Sequence, residues 1–147
     1  MDIMEIIDDK KAYIDLLLLG DEQEDMIDKY LNIGKMFVLL DKGAVIGQCV
    51  VTNEGQGVYE IKNISVSVAY QRQGYGRVLL DYVYNYFGDL NALYVGTGDS
   101  QKTIVFYEAC GFVKSHIVEN FFTDNYNHEI VEDGHILKDM VYLRRSK

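Results

Sequence analysis

Residues 66–77 read Val-Ser-Val-Ala-Tyr-Gln-Arg-Gln-Gly-Tyr-Gly-Arg, a β-rich run passing into a Gly-x-Gly turn that opens a helix. This arrangement is suited to holding an anion. Gly74 and Gly76 let the backbone approach a ligand closely, successive N–H groups form a concave nest, and the helix N-terminus adds its positive end. Arg72 and Arg77 contribute full charges, and no acid falls between residues 71 and 77. Two glycines alone could do no more than shape a strand-to-helix turn. Local basicity in a chain with 14 Lys+Arg against 23 Asp+Glu, net −9, is what favours a phosphate ligand. Two other phosphate sites do not fit. A dinucleotide fingerprint needs a glycine where Leu79 stands, and a P-loop needs a Gly-Lys-Ser/Thr that does not follow at the required spacing.

A second landmark comes downstream, where Phe106-Tyr107-Glu108-Ala109-Cys110-Gly111-Phe112 ends a helix and begins a strand. Gln71-x-x-Gly74-x-Gly76 and this segment resemble, in the expected order, two signatures of the GNAT superfamily of acyl-CoA-dependent N-acetyltransferases. Those signatures are the pyrophosphate-binding Gln/Arg-x-x-Gly-x-Gly/Ala and Leu/Phe-Tyr-x-x-x-Gly-Phe. The resemblance runs from about Met36 to Phe112. It implies acetyl-CoA as acyl-donor cosubstrate and no metal. It implies that Gln71, Arg72, Gln73, Gly74, Tyr75, Gly76 and Arg77 form the pyrophosphate loop. Backbone groups of Ile64, Ser65 and Val66 would then pair with the pantetheine arm like an added strand. Ser100, seven residues before Tyr107, stands where many members carry an Asn that bonds the pantetheine.

The implied reaction poses two proton problems: the amine must lose a proton to attack, and the departing thiolate is better protonated as it leaves. By the same resemblance, Tyr107 is the candidate general acid. Glu60, fourteen residues before Gly74 and near the start of the preceding β-run, is the candidate base, acting directly or through a water. Some relatives place a Glu on the strand after the glycine-loop helix, but Val95 occupies that position here. Transfer is expected to be direct, within a ternary complex. Cys110 has no His beside it in the sequence to activate it as an acyl carrier.

The acceptor site is expected outside the cofactor core. Asp21, Glu22, Glu24, Asp25 and Asp28 occur with no basic residue from 21 to 28, and Glu119, Asp124, Glu129, Glu132 and Asp133 with none from 119 to 133. Such segments attract a cationic amine, though each acid by itself could equally be a solvated surface charge. Residues 121–128, with Phe121, Phe122, Tyr126 and His128, read as a loop of pocket-lining composition. The reading is therefore an N-acetyltransferase acting on a small cationic amine. Protein N-terminal or lysine acetylation, and a non-catalytic acyl-CoA sensor, are the alternatives.

Net charge −9 disfavours nucleic acid as a partner. No apolar run approaches the ~20 residues of a membrane span. The acidic start Met1-Asp2-Ile3-Met4-Glu5 is unlike a secretory signal, so a cytoplasmic location is expected. Cys49 and Cys110 are far apart, which suggests buried thiols in place of a disulfide or zinc site. Sheet edges leave a homodimer open.

To position these residues, the periodicity predicts helices over Asp8–Leu19 and Asp21–Ile33, then strands Met36–Leu40, Ala44–Thr52 and Tyr59–Val68 joined by Gly-containing turns. A helix over Gly74–Phe87, a strand Leu90–Val95, a helix Ser100–Cys110 and strands Phe112–Phe122 and Ile136–Arg144 complete the order. This is an α/β (α+β) class: one domain over residues 1–147, with a mixed, mostly antiparallel central sheet and helices on both faces.

Overall fold

The computed structural model describes residues 1–147. The chain divides into two compact units, Met1–Leu90 and Asn91–Lys147. It is an α+β protein, and within each unit the strands pair antiparallel.

In the first unit β1 (Asp2–Ile6), β2 (Lys35–Asp41), β3 (Ala44–Gly55) and β4 (Val58–Val66) form a meander in that order. Lys42 and Gly43 close one hairpin and Gln56 and Gly57 the next, all four at positive φ. Paired positive φ values give the turn a twist that matches its flanking strands. Helices α1 (Ile14–Gly20) and α2 (Glu24–Asp28) precede β2, and α3 (Tyr75–Tyr86) follows β4. Side chains alternate along β3, so Gly47, which faces Leu79 of α3, and Val50, which packs with Leu17 of α1, lie on opposite faces. Helices thus cover both faces of the meander. Leu17, Ile27, Leu31, Met36, Val38 and Val50 form the α1-side core, and α3 buries Leu79, Leu80 and Val83. Across α3, Tyr82 and Tyr86 meet Phe37 edge to face.

In the second unit β9 (Met140–Ser146) lies between β5 (Ala92–Gly98) and β6 (Val113–Val118). Helix α4 (Gln101–Ala109) connects β5 to β6. Helix α5 (Phe121–Asn125) and the small hairpin of β7 (Val131–Glu132) and β8 (His135–Ile136) fill the chain between β6 and β9.

The core elements fall where periodicity puts them, and the ends differ. Strand β1 was not expected: it is short, and of its residues only Ile6 is buried, so it carries little apolar signal. The first helix is shorter than Asp8–Leu19, because Asp9 is left-handed and Lys10–Tyr13 winds as a 3-10 turn. The second is confined to Glu24–Asp28, after which Lys29 and Tyr30 donate to carbonyls three residues back. The strand expected over Phe112–Phe122 stops at Val118, because Asn120 turns left-handed and caps α5 where a loop was expected. The last strand begins at Met140 instead of Ile136. Asp99 draws the backbone N–H groups of Lys138 and Asp139 to its carboxylate, out of any ladder.

Candidate active site

The turn between β4 and α3 has the geometry of an anion cradle. Arg72 (φ 63°) and Gly74 (φ 91°) are both left-handed, two residues apart, the kind of alternation from which an anion-binding nest of N–H groups is built. Val78 is the first α3 residue to donate back into the turn, at 3.2 Å to the Gly74 carbonyl. The N–H groups of Tyr75, Gly76 and Arg77, in the first turn of a helix, have no carbonyl of that helix within reach. A Cβ built on Gly74 meets nothing within 4 Å, so the space outside the turn is open to a ligand. These features fit a diphosphate.

The loop's polar side chains brace it. Gln71 Nε2 donates to the Val66 carbonyl at 2.9 Å, and Gln73 Nε2 to the Ala69 carbonyl at 3.3 Å. Both glutamine side chains satisfy carbonyls; the Gln71 N–H donates to the Val68 carbonyl at 3.3 Å, and the side chains take none of the amides that follow it in the turn. Arg72 and Arg77 are exposed, Arg77 within 4.0 Å of Asp81 one helical turn on.

Strand β4 carries a β-bulge. Val50 pairs with Asn63 but Val51 with Ile61, which leaves Lys62 as the extra residue. Beyond the bulge the Ser67 N–H bonds the Ile46 carbonyl at 2.8 Å. The alternation of an antiparallel ladder then turns the backbone groups of Ser65 toward β3 and those of Ile64 and Val66 away from it. The Ser65 hydroxyl also points inward, donating to the Leu16 carbonyl at 2.5 Å. Glu60 lies on the far side of the bulge, largely buried, with its carboxylate 2.8 Å from Lys62 Nζ.

In the second unit, Ser100 is the N-cap residue of α4 and is 5 % exposed, with its carbonyl accepting the Ile104 N–H. Tyr107, 6 % exposed, packs edge to face against Phe106 and Phe112. Its carbonyl accepts the N–H of Phe112, which fixes the helix-to-strand turn that the sequence motif describes.

The acids divide by their partners. Lys11 bridges Glu24 at 2.5 Å and Asp28 at 2.6 Å. Glu132 takes the Thr103 hydroxyl, and Asp133 lies 3.8 Å from Lys102. Burial works to raise the Asp99 pKa, but bonds from Lys138 N–H, His135 and Asp139 N–H outweigh it and hold the carboxyl below its ordinary value. Nothing local in the sequence marks Asp99, because its three partners lie 36 to 40 positions away. His128 is exposed and contacts Asn127. Burial pushes the Cys49 thiol far above its usual pKa, so it is no nucleophile. No group of three His, Cys, Asp or Glu side chains is arranged to hold a metal ion.

The family model of the acetyltransferase (GNAT) domain matches residues 32–114, which includes the glycine turn and the Tyr107 motif. The chain belongs to the GNAT family. As a GNAT protein it is an acyltransferase. A Bacillus subtilis (strain 168) protein called uncharacterized N-acetyltransferase YvbK is 33% identical over 132 residues, spanning 88% of this chain and 85% of that protein. A GNAT family acetyltransferase from Elizabethkingia anophelis, solved with acetyl-CoA bound, superposes with a TM-score of 0.93 at 33% identity, covering 99% of this chain and 97% of that one. A Bacillus subtilis acetyltransferase in complex with CoA gives 0.88 at 30% identity, covering 99% and 97%.

Proposed function

We propose that this GNAT protein moves the acetyl group of acetyl-CoA to the primary amine of a small cationic metabolite, with both substrates bound together. The observation that carries the donor assignment is the turn at Arg72–Gly74, whose spare amides and open side match a diphosphate. The relatives solved with acetyl-CoA and with CoA support it. Ile64 and Val66, whose backbone groups face away from β3, would hold the pantetheine arm, and buried Ser100 would contribute its hydroxyl.

In the transfer, the amine nitrogen attacks the thioester carbonyl, a C–N bond forms, the C–S bond breaks, and a proton passes from the amine to solvent or a base. Glu60 is assigned the amine proton, directly or through a water. Its carboxylate sits 2.8 Å from Lys62 Nζ, on the strand that precedes the glycine turn. Tyr107 is assigned the proton delivered to the departing thiolate. The Val66 N–H, directed away from β3, is assigned the oxyanion of the tetrahedral intermediate. A cationic acceptor follows from net charge −9 and the acidic segments at 21–28 and 119–133. No helix is long and apolar enough to cross a membrane, and with both cysteines free and buried we place the reaction in the cytoplasm.

The test is thiol release from acetyl-CoA across a panel of monoamines, polyamines and lysine-bearing peptides. Small amines are expected to turn over. Turnover confined to peptides would move the acceptor to protein, and background rates throughout would overturn the assignment. Tyr107→Phe is expected to lower kcat by about a hundredfold while acetyl-CoA affinity stays within about twofold. Equal losses in both would make the hydroxyl a binding group.

A further inference from the structure

Between α1 and β4 runs a chain of buried polar side chains in a place where apolar residues would serve to pack a helix on a sheet. Gln48 is fully buried and Asn63 is 3 % exposed. Gln48 Nε2 donates to Asn63 Oδ1 at 2.7 Å and lies 3.1 Å from Ser65 Oγ. Asn63 Nδ2 donates to the Leu17 carbonyl at 2.9 Å and to Tyr30 Oη at 3.1 Å. The Tyr30 hydroxyl donates in turn to Asp21 Oδ2 at 2.9 Å. Gln48 Oε1 is buried with no hydrogen-bond partner, so the arrangement is not one that maximises stability. What such a network does well is fix direction.

It fixes the end of α1 against the half of β4 beyond the bulge. A Cβ on Gly20 would collide with Asn63 Oδ1 and lie 2.9 Å from the Ile64 carbonyl, so only glycine allows this approach. Asp21 is the next residue. Its Cα is one chain step, ~3.8 Å, from Gly20, whose own approach is to Ile64, the strand position assigned to the pantetheine arm. In the same segment Glu24 and Asp28 bridge Lys11, and Asp25 accepts from Gln23.

We infer that Asp21 is the residue that receives the acceptor's ammonium, and that Tyr30, held by Asn63 and Gln48, is the positioning residue that aims it. This rests on the acetyl-transfer reading above. A carboxylate fixed beside β4 would dock a cationic amine next to the donor strand, and the phenol that donates to it at 2.9 Å would set its direction.

The experiment is steady-state kinetics of wild type, Asp21→Asn and Tyr30→Phe with a small amine that turns over, varying amine and acetyl-CoA separately, with the melting temperature of each variant measured in parallel. Asp21→Asn is expected to raise the amine KM by about tenfold, and Tyr30→Phe by about fourfold, while the acetyl-CoA KM stays within about twofold. The wild-type amine KM is expected to rise with salt, and that dependence to flatten in Asp21→Asn. An unmoved amine KM in Asp21→Asn, or amine and acetyl-CoA KM values rising together, would overturn the inference and leave acetyl transfer standing. If Tyr30→Phe fails to fold, Asp21→Asn decides alone. Absence of wild-type turnover on every amine would overturn both readings.

Discussion

The glycine turn at 71–77 and the segment at 119–139 solve opposite hydrogen-bonding problems. In the turn, Gln71 and Gln73 donate to backbone carbonyls and leave N–H groups unspent. In the segment, carboxylates consume N–H groups: Asp139 takes the Asn120 N–H at 2.8 Å, and Asp99 takes those of Lys138 and Asp139. One region presents spare donors and is suited to an anion. In the other, Asp139, Glu132 and Asp133 are spent on the Asn120 N–H, Thr103 and Lys102. Counting charges along a sequence does not separate these cases; asking which backbone groups the side chains satisfy does.

The largest effect expected from this contrast is at Gly74. In Gly74→Val the new Cβ meets no atom within 4 Å, but a β-branched residue is forced to φ 91° and fills the cradle's open side. Acetyl-CoA affinity is expected to fall by about a hundredfold, with a strain of about 1–2 kcal/mol lowering the melting temperature only modestly. Calorimetry and thermal melts on the same samples check it. Affinity preserved with a large drop in melting temperature would make the turn purely structural.

Asp99→Asn should show the reverse pattern, with stability lost by about 1–3 kcal/mol in urea melts and acetyl-CoA affinity unchanged. Its pH dependence has a definite sign. The folded-state pKa of Asp99 lies below the ordinary carboxyl value, so its contribution is fully present above that value and is lost as pH falls through the lowered one. Acid melts of wild type should therefore be steeper below about pH 4 than those of Asp99→Asn. Parallel acid melts would contradict the capping account.

The smallest effect belongs to Gln71→Ala, which removes the brace on the Val66 carbonyl and leaves every turn amide in place. A loss of acetyl-CoA affinity of about threefold is expected, from loosening of the turn. A loss as large as that of Gly74→Val would mean that Gln71 touches the ligand.

Much of this was legible in the sequence because its signals are local. Gln71, Gly74 and Gly76 specify a turn within six positions, the hairpins at Lys42-Gly43 and Gln56-Gly57 announce themselves by residue type, and α3 shows its buried face in Leu79, Leu80 and Val83. What escaped depends on partners far away in the chain. The β4 bulge at Lys62 is visible only in the register with β3. The Gln48–Asn63–Tyr30–Asp21 chain joins β3 and β4 to the residues that follow α2 and α1, and its polar residues look unremarkable singly. The start of β9 is delayed by a carboxylate some forty residues earlier. The resemblance ends at Phe112, so beyond it only composition speaks, and composition points to a loop over 121–128 where α5 forms.

The central claim is that the turn's amides grip a diphosphate, and it is tested most directly by titrating CoA and pantetheine, which lacks the diphosphate, into wild type and Gly74→Val. Wild type is predicted to bind CoA about a hundredfold more tightly than pantetheine, and Gly74→Val to reduce CoA to the level of pantetheine. Equal affinity for the two ligands in wild type, or a difference that survives in Gly74→Val, would contradict it.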